Sequence, residues 1–182
     1  VRSSPIHGLG LFACEAIAER EIVAVKGGHV LTARQWAALT PALGPAEIQI
    51  AEDLVIAPVT RDERADSMLY TNHSCEPNAC VRDGAELAAL CDIAAGEEIR
   101  FDYSTTMDED HWTMECRCGS PRCREKIRDF RWLPREWKLE LIRRGAVPSF
   151  IVASELDEGR LTPREIRSAP RRRRNGCGAT TV

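Results

Sequence analysis

The chain has 182 residues, 43% of them hydrophobic and 29% charged, which suits one soluble globular domain with a real core. No apolar run approaches the roughly 20 residues that cross a bilayer, and Val1-Arg2-Ser3-Ser4-Pro5 has no apolar stretch of the signal-peptide kind, so neither a membrane role nor secretion is expected. The net charge of −3 is uneven: seven arginines and one glutamate between Arg160 and Arg174 give +6, leaving −3 − 6 = −9 on the rest. An acidic body fits a cationic substrate and argues against direct nucleic-acid binding there.

Gly8 and Gly10 mark an early turn, and Glu21-Ile22-Val23-Ala24-Val25 reads as a strand ending at Gly27-Gly28. The spacing Gly8-x-Gly10-x-x-Ala13 also fits a dinucleotide fingerprint. That reading fails, because no strand precedes it and no acidic residue lies about 20 positions beyond Ala13. Thr32 can cap a short helix reaching about Leu39, with Pro41, Gly44 and Pro45 as breakers. Ile48-Gln49-Ile50 and Leu54-Val55-Ile56 read as a hairpin, followed by a polar segment over residues 61–66.

The stretch Tyr70-Thr71-Asn72-His73-Ser74-Cys75-Glu76-Pro77-Asn78 packs amides, an imidazole, a hydroxyl and a thiol into a segment of turn-forming residues. Two strands, 79–82 and 86–89, follow around Asp83-Gly84-Ala85. Ala94-Ala95-Gly96 turns into Glu97-Glu98-Ile99-Arg100-Phe101-Asp102-Tyr103. Many short strands with few helices predict a mainly β architecture. Near the C-terminus, Phe130, Leu133, Trp137, Leu141 and Ile142 are spaced for an amphipathic helix over 134–143, with Pro134 in its first turn and Gly145 at its end. A second short helix follows Thr162, and residues 171–182 lack a hydrophobic pattern and are expected to be disordered.

Of eight cysteines, Cys116, Cys118 and Cys123 cluster within eight residues. That clustering suits a metal better than disulfides, and with no sign of secretion it suits a reducing, intracellular compartment, cytoplasm or nucleus. A structural zinc takes four ligands, so one must come from elsewhere. Reduced, uncoordinated thiols are the alternative. Cys14, Cys80 and Cys91 sit in apolar contexts and read as small core residues, and Cys177 lies in the tail.

Four stretches, His7-Gly8-Leu9-Gly10, the Tyr70 to Asn78 segment, the Glu97 to Tyr103 segment and the Cys116 to Cys123 cluster, occur in an order that resembles the SET-domain protein lysine methyltransferases with a cysteine-rich post-SET zinc segment. The resemblance implies small curved sheets with the central motif tucked into a pseudoknot, short helices and a C-terminal helical extension. The implied divisions are 1–106 for the SET catalytic domain, 107–126 for the zinc segment, 127–168 for the extension and 169–182 for a basic tail. A large insert often precedes the central motif in the family, and here that region is short.

It further implies that S-adenosylmethionine binds among His7, Gly8, Leu9, Gly10, Asn72, His73, Tyr103, Trp112 and Cys118. The glycines would let backbone approach the donor. Cys75 would join Cys116, Cys118 and Cys123 on one zinc, with His73 as the less favoured fourth ligand. Tyr103 would be the catalytic tyrosine, with Tyr70 and Phe101 as channel walls. Phenylalanine at 101 implies di- or trimethyl-lysine as product. Glu98 and Asp102 read as structural or surface carboxylates. The expected partner is a basic, lysine-containing protein or peptide, a histone being one such, drawn toward Asp108, Glu109 and Asp110. A zinc-stabilised interaction module without activity is the rival reading. A nucleic-acid role for Arg171 to Arg174 is set aside, since such runs are more often solvated tails.

Overall fold

A computed structural model describes residues 1–65, 67–83, 85–108 and 112–168. The expectations for Gly84, Glu109, Asp110, Cys177 and the arginine-rich tail therefore lie outside the described residues. In chain order the strands are β1 (Arg2–Ser3), β2 (Leu9–Phe12), β3 (Ile22–Val25), β4 (His29–Thr32), β5 (Ile48–Ala51) and β6 (Leu54–Ala57). There follow β7 (Asn72–His73), β8 (Ala79–Arg82), β9 (Glu86–Ala89), β10 (Glu98–Phe101), β11 (Thr113–Glu115) and β12 (Lys126–Arg128). The helices are α1 (Ala33–Leu43), α2 (Arg135–Arg143), α3 (Ser149–Asp157) and α4 (Pro163–Ser168). The architecture is mainly β, in small sheets ordered β1-β2-β10-β7, β3-β9-β8, β4-β6-β5 and β11-β12. Among the described residues no helix is long and apolar enough to cross a membrane.

Helix α1 begins as its sequence predicts. Thr32 accepts from the Gln35 N–H while the Gln35 side chain accepts from the Thr32 N–H, a reciprocal capping box. It continues past Leu39 because Pro41 falls in the last turn, where the missing N–H removes one ladder bond and disturbs no helix beyond it. Gly44, at φ 70°, closes it by donating to the Thr40 carbonyl.

Strand β8 is buried on both faces. Ala79 and Val81 join Leu87, Ile93, Ile99 and Phe101 in the main core, while Cys80 points the other way into a second core of Phe130, Leu133, Leu141, Ala146 and Ile151. The C-terminal extension is thus packed against the back of the β3-β9-β8 sheet. Cys80 is the core residue expected, but Cys91 is only half-buried and Cys14, just beyond the end of β2, is exposed. Helix α3 has no strong amphipathic signal, because its inward face carries Glu155 beside Ile151. Glu155 is fully buried between Lys138 and Arg160, each 2.7 Å away, so the extension is held partly by an internal ion triad.

Strand β10 organises the site. On one side it pairs antiparallel with β2, Ile99 opposite Leu11. On the other it pairs parallel with β7, Arg100 opposite Asn72 and Phe101 opposite His73. Asn78, with no exposed surface, locks this arrangement: its amide donates to the Glu98 carbonyl at 2.8 Å and accepts from the Arg100 N–H at 2.8 Å.

Candidate functional site

A cavity of about 380 Å³ opens where these segments meet, lined by Ile6, His7, Asn72, His73, Tyr103, Met114, Glu115, Arg117 and Ile127. It gathers four of the residues expected to face the methyl donor: His7, Asn72, His73 and Tyr103. Gly8, Leu9, Gly10, Trp112 and Cys118 are not among its lining, nor are Tyr70 and Phe101. Met114, Glu115, Arg117 and Ile127 are additions that sequence reasoning missed. They reach the cavity through the β11-β12 hairpin, and short polar strands beside a cysteine cluster carry no periodicity that foretells it.

Gly8 lies in the expected turn, but Gly10 lies inside β2, and the two have different roles. Gly8 has φ +50° and open space around it, a conformational requirement. At Gly10 a Cβ would lie 2.3 Å from Glu98 Oε1. Glu98 is buried and accepts from Ser4 Oγ at 2.7 Å and Asn72 Nδ2 at 2.8 Å. Asn72 Nδ2 also faces the His7 and Leu9 carbonyls at 3.3 and 3.1 Å, so the first turn and the central motif are hydrogen-bonded together.

Tyr103 donates its hydroxyl to the Thr71 carbonyl at 2.9 Å and its backbone N–H to His73 Nδ1 at 3.1 Å. Its ring lies 4.9 Å from that of Phe101, 5.3 Å from that of His73 and 6.4 Å from that of Trp112. Burial, reinforced by the Glu98 charge, pushes the phenol up to about 12, so it stays protonated at neutral pH. Burial lowers His73 to about 4, opposed by Asp102 and helped by Arg124, so the imidazole is neutral. Because Nδ1 accepts from Tyr103, the ring proton is on Nε2. Nε2 faces Cys75 Sγ at 3.4 Å.

Glu98 and Asp102 are structural carboxylates and not surface ones. Asp102 is 1% exposed and accepts from Arg124 at 2.6 Å and from the Ser104 N–H. Asp108 is likewise engaged, by Arg131 Nε at 2.9 Å and Ser154 Oγ at 3.1 Å, with little exposure. That removes it from the set expected to attract a basic substrate.

Cys75, Cys116, Cys118 and Cys123 converge, their four sulfurs all within 4.8 Å of one another. A tetrahedron with Zn–S bonds of about 2.3 Å spaces its sulfurs about 3.8 Å apart, and Cys75 and Cys116 are separated by 3.8 Å. Backbone N–H groups of Arg124 and Glu125 point at Cys75 and Cys123 sulfurs at 3.3 Å, as suits thiolates. Burial pushes the Cys75 thiol up to about 11 and raises Cys116 as well. The donor set fits a tetrahedral metal ion, with His73 beside the cluster and outside it.

This cavity with its flanking four-cysteine cluster, on a frame of small interwoven sheets, defines a SET-type protein. The SET domain family model matches residues 8–104, more than half the chain, and the protein belongs to that family. It is 28% identical over 134 residues to "Histone-lysine N-methyltransferase, H3 lysine-4 specific" of Saccharomyces cerevisiae, covering 66% of this chain and 12% of that protein. It is 30% identical over 137 residues to "Histone-lysine N-methyltransferase trithorax" of Drosophila virilis, covering 68% of this chain and 3% of that one. The chain thus matches only a small part of these relatives' length. Among solved structures, a humanized mutant of the Chaetomium thermophilum Polycomb Repressive Complex 2 bound to the inhibitor GSK343 has the same fold, with a TM-score of 0.50 and 22% identity over 59% of this chain and 15% of that one.

Proposed function

We propose that the protein transfers a methyl group from S-adenosylmethionine to the side-chain amine of a lysine in a protein substrate. The observation that carries this is the fixed Tyr103 hydroxyl at a cavity also lined by His7, Asn72 and His73. When bound, the donor's sulfonium supplies an electrophilic methyl. The residues of the chain hold, orient and desolvate.

The hydroxyl proton of Tyr103 is spent on the Thr71 carbonyl, so what the phenol offers is its lone pairs. They accept an N–H of the incoming amine and aim its lone pair along the line of attack. A raised phenol pKa excludes Tyr103 as a base at neutral pH. The amine therefore arrives neutral, having lost its proton to water. With a lysine pKa of about 10.4, holding it neutral at pH 7 costs about 4.6 kcal/mol. Phe101, whose ring lies 4.9 Å from that of Tyr103, and Tyr70 would wall a lysine channel distinct from the cavity described. An apolar channel of that kind disfavours the ammonium and lowers that cost. The nitrogen–methyl bond forms as the sulfur–methyl bond breaks, and alignment contributes several kcal/mol.

Phe101 has no hydroxyl to hold an ordering water in the channel. A methylated amine then turns freely for another attack, so the product is di- or trimethyl-lysine. The four cysteines hold one zinc, which fastens the segment carrying β11 and β12 over the cavity. The acceptor is a lysine-bearing basic protein, with histones the first class to test in view of the relatives' names. Calorimetry with S-adenosylhomocysteine, then mass spectrometry of core histones and mixed basic peptides incubated with donor, tests the reading. Donor binding with no lysine methylated on any of them would leave an inactive interaction module as the better account.

A further inference from the structure

His73 is 4% exposed, and both of its ring nitrogens are occupied. The β7-β10 register sets it opposite Phe101, with Tyr103 two residues past the end of β10 and Cys75 two residues past the end of β7. Its imidazole spans the gap, accepting the Tyr103 N–H at Nδ1 and presenting Nε2–H to Cys75 Sγ. A second connection runs beside it. Arg124 follows the last cysteine of the cluster, gives its backbone N–H to the same sulfur and clamps Asp102, the neighbour of Tyr103, with its guanidinium. Asp102 in turn stands 3.6 Å from His73 Nδ1.

We infer that His73 is a positioning residue that couples the cysteine centre to the donor cavity, so that metal occupancy and donor binding strengthen each other. The inference rests on the proposed donor site and on the cluster holding zinc. A thiolate ligand is the better acceptor for Nε2–H, and hydrogen bonding to it fixes the ring. The fixed ring holds the Tyr103 backbone through Nδ1 and thereby the phenol hydroxyl. Loss of metal frees Cys75, loosens the ring and relaxes Tyr103, although none of the four cysteines is among the cavity lining. Such coupling is reciprocal by thermodynamic necessity.

The two nitrogens can be separated by substitution. In His73→Asn the amide oxygen substitutes for Nδ1 and the contact with Cys75 is lost. In His73→Gln the longer amide places an N–H near the position of Nε2 and the acceptor for Tyr103 is lost. Zinc affinity is measured by chelator competition, donor-site affinity by calorimetry with S-adenosylhomocysteine, and folding by near-ultraviolet circular dichroism. The expected result is zinc affinity about 10–100-fold lower in His73→Asn, in the range typical for removal of such a partner, and close to wild type in His73→Gln. Donor affinity should fall mainly in His73→Gln. A histidine that merely fills space would make both variants lose both ligands together even when each ligand is titrated with the other absent, and that outcome overturns the inference.

The wild-type protein provides an independent reading that needs no variant. At equilibrium with a competing chelator, zinc should bind about fivefold or more tightly at saturating S-adenosylhomocysteine, the lower end of usual coupling factors. Equal zinc affinities with and without it would overturn the coupling while leaving both sites intact. A protein that binds no zinc, or no S-adenosylhomocysteine, would instead refute the site reading beneath it and the inference with it.

Discussion

Replacing Tyr103 by phenylalanine removes one hydroxyl and should separate catalysis from stability. The hydroxyl donates to the Thr71 carbonyl at 2.9 Å, and the ring packs against Phe101 and His73. The ring remains in the variant, so the loss is one neutral hydrogen bond, worth about 1 kcal/mol, or ~2–4 °C in Tm for a domain of this size. The effect on turnover should be far larger. Removing a positioned polar group from the reacting centre typically costs about 10²-fold or more. Donor affinity should hold, because the Tyr103 N–H contact with His73 belongs to the backbone.

The assay is kcat at saturating donor and peptide, beside calorimetry with S-adenosylhomocysteine and a thermal melt. The pH profile adds a second constraint. The wild-type rate should climb with pH as the substrate amine loses its proton, with no descending limb from Tyr103 until pH nears its pKa of about 12. Stability should behave in the matching sense. The folded-state pKa lies above the unfolded value of about 10, so the contribution is complete below pH 10 and is lost as pH rises toward 12. A Tyr103→Phe variant that keeps wild-type kcat on a methylatable substrate would refute the catalytic assignment.

Phe101→Tyr should shift the product from di- or trimethyl-lysine toward monomethyl-lysine, read by mass spectrometry; a native enzyme that stops at one methyl would contradict the reasoning. Gly10→Ala should destabilise by about 1–3 kcal/mol, as overpacking does, because its Cβ meets a Glu98 carboxylate pinned by Ser4 and Asn72; a thermal melt tests this, and donor affinity should drop as Asn72 is displaced. Asp108→Asn should lower Tm by weakening the contact with Arg131 while leaving KM for a basic peptide unchanged, since this carboxylate faces inward. The protein purified without chelator should carry one zinc per chain, and its removal should speed hydrogen exchange in β11 and β12 and abolish turnover; metal analysis finding no zinc would dismiss the structural metal.

Much was legible in the sequence because its signals are local. Alternating short apolar runs with turn residues between them mark β5, β6, β8 and β9 within a residue of their observed bounds. Thr32 and Gln35 announce a helix start, and Pro134 and Gly145 bracket α2, because caps and breakers act within one turn of chain. The motifs around Asn72, Tyr103 and Cys116 were visible as residue types at fixed spacing. Helix α3 was not, since an internal ion triad around Glu155 replaces the apolar stripe that periodicity detects. Nor could composition show that Cys14 is exposed while Cys80 is buried. Tertiary structure alone decided that β10 pairs with β2 and β7 at once, which brings His7, Asn72 and Tyr103 to one cavity. It also placed Met114 and Ile127 on that cavity, turned Asp108 inward, and set the two nitrogens of His73 between Tyr103 and Cys75. These are contacts between residues distant along the chain, fixed by strand register and by the burial of groups that must then find partners. No local preference of the sequence encodes them.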